Sequence, residues 1–540
     1  MKTDPDAFLT SEAALVAAAV GLGAESVAGL SPAEVALGRA QGPTSSQLQA
    51  LRELTAAGED PLGTAFCQLR SPEERRPVGA TYTPKAIVAA MCEWAAAGRP
   101  ARVVDPGAGS GRFSVAAGKT FPNAHVIAIE PDPLAALLCR ANLAMAGLAG
   151  RSTVMVGDYR GVTLDHTEDP TLFIGNPPYV RHHQIDAAWK DWLYTSASSR
   201  RLTASKLAGL HVHFFLATAL HARAGDYGAF ITSSEWLDVN YGSLVRELLL
   251  NDLGGTSVHL LEPTVLPFSD AATTGAISTF TVGSTPTSLR LRRVQKVTEV
   301  QPLAGGKAVS RERLSEAKRW TPLFYAKQKV PDDQIELGEL CRVHRGTVTG
   351  ANAVWIADDK TQLDASLLQA SVTRAKELFS AGTELDKSDG LRRVIDLPRD
   401  LDEIDDQHRP EVNRFLTWAK AQGAHKGYVA RNRAAWWAVD LRAPAPILAT
   451  YMARRPPAFV RNNADVRHIN IAHGLNPREA MTGEQLNALA ASLRASVTLR
   501  GGRTYAGGLT KFEPREMERL SVPTLEALST YEPPATTAMV

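Results

Sequence analysis

The stretch Val103-Val-Asp-Pro-Gly-Ala-Gly-Ser-Gly-Arg-Phe113 constrains the fold of this chain more than any other. A β-branched run ends on an acid, three glycines follow at alternate positions, and a helical pattern begins at once. Glycine tolerates positive φ and lets a ligand come close to the backbone, so the pattern predicts a strand, a tight open turn and a helix. The spacing G-x-G-x-G differs from the G-x-G-x-x-G of dinucleotide folds, whose third glycine falls one residue later. From Val78 to about Val282 short β-branched runs alternate with helical ones, the signature of an α/β sheet layered with helices. Strands are expected near 102–105, 125–130, 153–157, 172–175, 227–232, 256–261 and 275–282, and helices at 84–97, 111–119, 132–147 and 205–223. In the third helix Leu134, Leu137, Leu138, Ala141 and Met145 share one face, a core stripe. The last two strands have no long helix between them, which predicts an antiparallel hairpin closing one edge of the sheet.

The rest of the chain differs in texture. Residues 1–75 are alanine-rich and predict short helices, with Ser11 and Ser31 placed as caps, and show no chemistry of their own. Near 283–290 the run Gly-Ser-Thr-Pro-Thr-Ser predicts a linker; beyond it arginine, tryptophan and proline predict a mixed second domain with strand-like pieces at 340–344 and 352–356. A length of 540 residues exceeds one hydrophobic core. Lys plus Arg (59) nearly cancels Asp plus Glu (57), so any nucleic-acid surface must gather its cations on one face. Cys67, Cys92, Cys139 and Cys341 lie far apart without a C-x-x-C pair, which argues against a zinc ribbon, an iron–sulfur cluster or a disulfide framework and for a reducing cytoplasm. No cationic leader and no uninterrupted run of about 18 apolar residues is present, so neither secretion nor a membrane is expected.

Three acids stand at successive strand ends: Asp105 before the glycine turn, Glu130 in Ile129-Glu-Pro-Asp132, and Asp158 in Gly157-Asp-Tyr159. In that order they suit an amine, the two hydroxyls of a ribose, and an adenine, the crevice position expected of ligands in open α/β sheets. S-adenosylmethionine has those three parts. At the end of the fourth strand stands Asn176-Pro177-Pro178-Tyr179. Methylating an exocyclic amino group calls for two acceptors as the nitrogen becomes tetrahedral, and the Asn176 side-chain oxygen and Pro177 carbonyl can be those two. Consecutive prolines stiffen the turn, and Tyr179 can stack on a base that has left its helix.

These motifs resemble the class I S-adenosylmethionine-dependent amino-methyltransferases of DNA, in particular the gamma-ordered, TaqI-like adenine-N6 enzymes. The resemblance covers residues 78–283 firmly and implies an α/β fold class: a seven-stranded Rossmann-like methyltransferase sheet with an antiparallel edge hairpin, a mixed α+β target-recognition domain, and an N-terminal helical extension. It implies boundaries at 1–75, 76–285, a connecting segment 286–330, and 331–540. By resemblance Thr83, in Ala80-Thr-Tyr-Thr83-Pro84, takes the methionine carboxylate; Asp105 the amine; Glu130 the ribose; and Asp158 with Tyr159 the adenine. Pro84, Pro106, Gly107, Gly109 and Pro131 flank these in the same cofactor set. Asn176 to Tyr179 receive the target base, and Phe268 in Leu266-Pro-Phe268 is the aromatic expected to close on it from the other side. Arg345, Thr349, Asn352, Trp437, Arg461, Asn463 and Lys511 are the candidate DNA contacts, since cations, amides and aromatics interleave there.

What the resemblance implies is a double-stranded DNA substrate, S-adenosylmethionine as cofactor with S-adenosylhomocysteine as product, and no obligatory protein partner, the enzyme being either an orphan methylase or one that works alongside a separately encoded restriction endonuclease. Cytosine N4 is the nearest alternative target. A protein glutamine-N5 methyltransferase shares Asn-Pro-Pro-Tyr but is usually shorter, and a non-catalytic DNA-binding subunit would be expected to have lost the motifs. His182-His183 and His211-x-His213 invite a metal, but the reaction needs none and no third ligand is evident, so none is expected.

Overall fold

The computed structural model describes residues 5–70, 83–262, 275–325, 333–505 and 509–532. The chain forms two compact units, Met1–Ala326 with Tyr505–Gly508, and Lys327–Thr504 with Leu509–Val540. Among the described residues no helix is long and apolar enough to cross a membrane.

The first unit is built on one sheet. Its strands are β1 (Arg102–Pro106), β2 (His125–Glu130), β3 (Ser152–Val156), β4 (Thr171–Gly175), β5 (Tyr227–Ser233), β6 (Gly255–Leu261), β7 (Gly275–Thr281), β8 (Ser288–Val294) and β9 (Lys307–Ser310), in the order β3-β2-β1-β4-β5-β7-β6-β8-β9. The first five strands are parallel, and the central ones, β1, β4 and β5, are buried along almost their whole length, as parallel strands covered by helices on both faces are. β7 runs antiparallel between β5 and β6.

Two expectations are corrected here. Among the described residues the sheet has nine strands rather than seven, and the β6–β7 hairpin is internal, because β8 pairs parallel with β6 and β9 closes the edge. Residues 288–294 and 307–310 therefore belong to the sheet, where a connecting segment was expected. β8 reads Ser-Leu-Arg-Leu-Arg-Arg-Val: Leu289 and Leu291 turn into the core while Arg290 between them turns outward, the alternation of a half-buried strand.

Helices cover the sheet. α1 (Glu12–Gly21), α2 (Ser45–Ala56) and α3 (Pro61–Leu69) precede β1, followed by α4 (Lys85–Ala95). Next come α5 (Arg112–Thr120), α6 (Pro133–Met145), α7 (Ala187–Ser199), α8 (Leu210–His221) and α9 (Ser243–Leu250), of which α7 and α9 were not foreseen. Ser11 caps α1, and Ser31 makes a capping box on the turn Pro32–Val35, as their positions predicted. The apolar stripe of α6 packs in the core as expected, and the structure shows what covers it. Leu134, Leu137, Leu138 and Ala141 pack on Leu15, Leu51, Leu62 and Phe66 of the N-terminal helices, whereas Ala136, Cys139 and Leu143 face the sheet. Both sides of α6 are covered, so the helices of residues 5–70 are part of this unit's core rather than an appended extension.

The second unit holds a five-stranded sheet, in spatial order Cys341–Arg345, Ala472–Pro477, Ile447–Thr450, Phe459–Asn462 and Glu384–Leu385, with the helix Gly483–Ser496 packed on it. The strand expected at 340–344 is present. Residues 352–356 instead begin as the helical turn Asn352–Trp355, which buries Trp355.

Candidate active site

β1 has β2 on one side and β4 on the other, so the strand order reverses at its carboxyl end. That end is where open α/β sheets bind ligands. The glycine turn leaves β1 there, and Asn176 follows β4 directly. Gly107, Gly109 and Gly111 have φ of +74°, +55° and +88°, and a Cβ on Gly111 would lie 2.6 Å from Cys139 Sγ. Neither the conformation nor the space admits a side chain at Gly111. Gly107 and Ala108 donate their N–H groups to Ile129 O at 2.8 and 3.1 Å, tying the turn to β2.

A cavity of about 310 Å³ opens at this point, lined among others by Thr83, Gly109, Glu130, Asp158, Asn176 and Pro178. All six were assigned to ligand contact from the sequence, as were Gly107, Pro131 and Tyr159, which also line it. Asp105 is 1% exposed. Its Oδ2 accepts from Ser114 N (2.9 Å) and Ser114 Oγ (2.6 Å), while Oδ1, with no partner among the described residues, lies where a Cβ on Gly175 would come within 2.8 Å. Burial pushes this carboxyl up to about 7 against the two bonds from Ser114. Glu130 accepts from Gly109 N at 2.8 Å and Asp132 N at 3.0 Å, and burial likewise raises it to about 7. Each carboxylate oxygen can accept more than one bond, so Glu130 retains acceptor capacity toward hydroxyls.

Asn176 Nδ2 donates to Thr83 Oγ1 at 3.1 Å. That bond orients the amide, whose other polar atom is a carbonyl acceptor. A hydroxyl that accepts one bond can still donate one, which leaves Thr83 suited to a carboxylate. Pro84 caps α4, Pro106 ends β1, and Pro177 is buried in the turn after β4. The Tyr179 hydroxyl is buried, with its ionisation pushed up by loss of water, and it stands outside the cavity lining. Phe268 lies outside the described residues.

Asp158 and Tyr159, the residues read for adenine, have partners that the sequence did not reveal. The Asp158 carboxylate is gripped by Arg160, with Nε at 2.8 Å and Nη2 at 2.5 Å, and the guanidinium stacks 3.9 Å from the Trp189 ring. Tyr159 is 1% exposed, bonds Thr218 Oγ1 at 3.0 Å and packs 5.3 Å from Phe214, so its ring serves the core. Arg160, Ile185 and Trp189, which the sequence did not single out, line the cavity as well. The Asp-x-Arg spacing after β3 was the available signal. Arg112, Phe66 and Asp60 were also missed. His213 accepts from Arg160 Nη1 at 3.2 Å, and burial lowers it to about 3 and His211 to about 4, so both rings are neutral. Among the described residues no group of three or more candidate metal ligands occurs.

In the second unit the seven candidate DNA contacts fall into two sets. Arg345 and Asn352 are exposed; Arg345 and Lys511 both pair with Glu513. Thr349 is 2% exposed and donates to Asn352, so it can orient that amide but cannot reach DNA. Trp437 gives its N–H to Pro398 O at 3.1 Å, Arg461 donates to Asn487 Oδ1 at 2.8 Å, and Asn463 donates to Asp386 at 2.8 Å. Those three are occupied within the fold.

Comparisons with known proteins identify the family. Residues 171–259 match the Eco57I restriction-modification methylase family, and residues 323–537 match the C-terminal domain of the Type II methyltransferase M.Eco57I. The Type II methyltransferase M.XamI of Xanthomonas campestris pv. amaranthicola is 53% identical over 87% of this chain and 88% of its own length. M.AccI of Acinetobacter calcoaceticus, also a Type II methyltransferase, is 20% identical over 83% and 85%. Among solved structures, the Type IIL restriction-modification enzyme MmeI in complex with DNA superposes with a TM-score of 0.57 at 13% identity, over 87% of this chain and 72% of that one, a likeness of fold. With a relative this similar over almost the whole chain, the protein belongs to the Type II DNA methyltransferases of restriction-modification systems, enzymes of the class I fold that use S-adenosylmethionine.

Proposed function

We propose that the chain methylates the N6 amino group of an adenine flipped out of double-stranded DNA at a specific sequence. The observation that carries this reading is the placement of Asn176 after β4, on the cavity wall and hydrogen-bonded to Thr83. S-adenosylmethionine supplies an electrophilic methyl group on a sulfonium, so the protein needs no nucleophile of its own: the new N–C bond forms as the C–S bond breaks, its electron pair leaves with S-adenosylhomocysteine, and the methylated nitrogen then gives up one proton to solvent. Thr83, Asp105 and Glu130 would hold its carboxylate, amine and ribose, and the unpartnered, buried Oδ1 of Asp105 suits a cationic donor. Asn176 Oδ1 and the Pro177 carbonyl accept the two amino hydrogens, which shifts the nitrogen lone pair out of the ring and toward the methyl. Pro177 and Pro178 restrict φ, so these acceptors are in place before the base arrives. Tyr179 stacks on the extruded base.

Asn rather than Ser at the head of the tetrapeptide favours adenine over cytosine. In the second unit the exposed Arg345 and Asn352 are the proposed DNA contacts, with Thr349 orienting the latter. A separately encoded endonuclease would cut the same sequence when unmethylated.

Modification-aware sequencing of DNA from cells expressing the protein tests this. N6-methyladenine at one sequence context is expected, and its loss with Asn176→Ala, while S-adenosylhomocysteine still binds within a few-fold of the parent affinity. N4-methylcytosine at that context would transfer the same geometry to the other base. Undiminished methylation by the Asn176→Ala protein would remove the mechanism.

A further inference from the structure

The residues ahead of the sheet carry no catalytic motif, yet the fold brings them to the cofactor cavity. Asp60, the cap of α3, gathers donors from several elements. Its Oδ1 accepts from Gly63 N at 2.9 Å and from Asn142 Nδ2 of α6 at 3.1 Å. Its Oδ2 accepts from Ser110 Oγ in the glycine turn at 2.6 Å and from Arg112 Nε at the start of α5 at 3.1 Å. Ser110 and Asn142 are 3% and 5% exposed, so these bonds form away from solvent. Arg112 also donates to Thr83 O at 3.3 Å, and Thr83 in turn holds Asn176. A hydrogen-bonded line thus runs from Asp60 through Arg112 and Thr83 to the proposed catalytic amide.

Two turns further along α3, Phe66 lines the cavity beside Asp132 and Ala135. Arg70 holds its guanidinium 4.7 Å from the Phe66 ring while pairing with Asp132 at the start of α6. The segment is anchored firmly. Glu34 and Arg140 form a bidentate pair with both side chains fully buried, Arg140 also caps the carbonyls of Val27, Ala28 and Val154, and Val154 N donates to Ala28 O at 3.0 Å on the edge of β3.

We propose that the N-terminal helical segment is an integral part of the cofactor site. Phe66 forms one wall of it, and Asp60 is a positioning residue that holds the glycine turn in its binding conformation. The physical need is clear: three glycines in a five-residue span have little of their own to keep them at positive φ, and Ser110 is the polar side chain among them through which the turn can be fastened. The proposal rests on the cavity being the S-adenosylmethionine site.

Calorimetric titration of the full-length chain with S-adenosylhomocysteine tests it. Phe66→Ala and Asp60→Ala are each expected to weaken binding about tenfold, the loss of one good contact or of turn order. Thr64→Ala, on the exposed side of α3, should leave it unchanged. In steady state the KM for the cofactor should rise in the Asp60→Ala protein while the KM for DNA stays put; mere loss of folded protein would lower kcat and move neither KM. Should Phe66→Ala fail to fold, Phe66→Leu keeps apolar bulk without the ring and is expected to weaken binding by a smaller factor. Parent affinity in folded Asp60 and Phe66 variants overturns the proposal. Absence of binding by the parent protein would instead strike at the cofactor reading beneath it.

Discussion

Lowering the pH should weaken cofactor binding steeply, because the two carboxyls proposed to hold the ligand are both raised to about 7 by burial. An acid whose pKa is higher in the folded than in the unfolded chain keeps its proton on folding. The stability these groups lend the unliganded fold is therefore present below the ordinary carboxylate range and declines as pH rises through about 7. A cationic amine beside Asp105 Oδ1 reverses the preference and expels the proton. If Asp105 alone must ionise, affinity should fall close to tenfold for each pH unit below about 7, roughly 15-fold between pH 7 and pH 5.5, and more steeply if Glu130 must ionise too. Titrating S-adenosylhomocysteine calorimetrically across this window, in two buffers of different ionisation enthalpy, gives both the affinity and the protons released. About one proton per site is expected at pH 6 for a single linked group. Asp105→Asn should bind weakly and lose most of the slope. An affinity independent of pH, with no proton exchanged, would refute the assignment of these carboxylates to the ligand.

Two further outcomes follow from the structure. Glu34→Ala leaves the Arg140 guanidinium buried without its counter-ion and should cost about 3–5 kcal/mol of stability, read from urea denaturation; a change below about 1 kcal/mol would mean that water replaces the carboxylate. DNA binding should show a steep linear fall of log K with log salt, about 0.9 per phosphate neutralised, which anisotropy at several salt concentrations measures; Arg345→Ala should flatten that slope, and an unchanged slope would remove Arg345 from the interface.

Much of the fold was legible because α/β sheets write themselves locally. β1 to β7 fall within about a residue of the β-branched runs that predicted them, and the acids at the ends of β1 and β2 sit beside the glycine turn as their positions implied. β8 and β9 were not legible: β8 follows a polar Gly-Ser-Thr-Pro run, and its alternating leucines and arginines read as surface until a partner strand is known. In the second unit the candidate contacts were chosen by residue type, and the structure commits Trp437, Arg461 and Asn463 to neighbours that no spacing could reveal.

The sequence by itself determined the strand-turn-helix at Asp105, the order of the three acids and the tetrapeptide at Asn176, because each depends on residues within a few positions of one another. Only the tertiary structure decided what surrounds them. The Arg160 clamp on Asp158, its ring contact with Trp189 and the burial of Tyr159 arise from α7 and α8 packing over β3 and β4. The service of Asp60 to Ser110, about fifty residues away, arises from α6 having two apolar faces, one of which had to be covered by something other than the sheet. Long-range hydrogen bonds of this kind leave no periodic trace in the chain, since any carboxylate at an exposed cap looks alike until the element that buries it is in place.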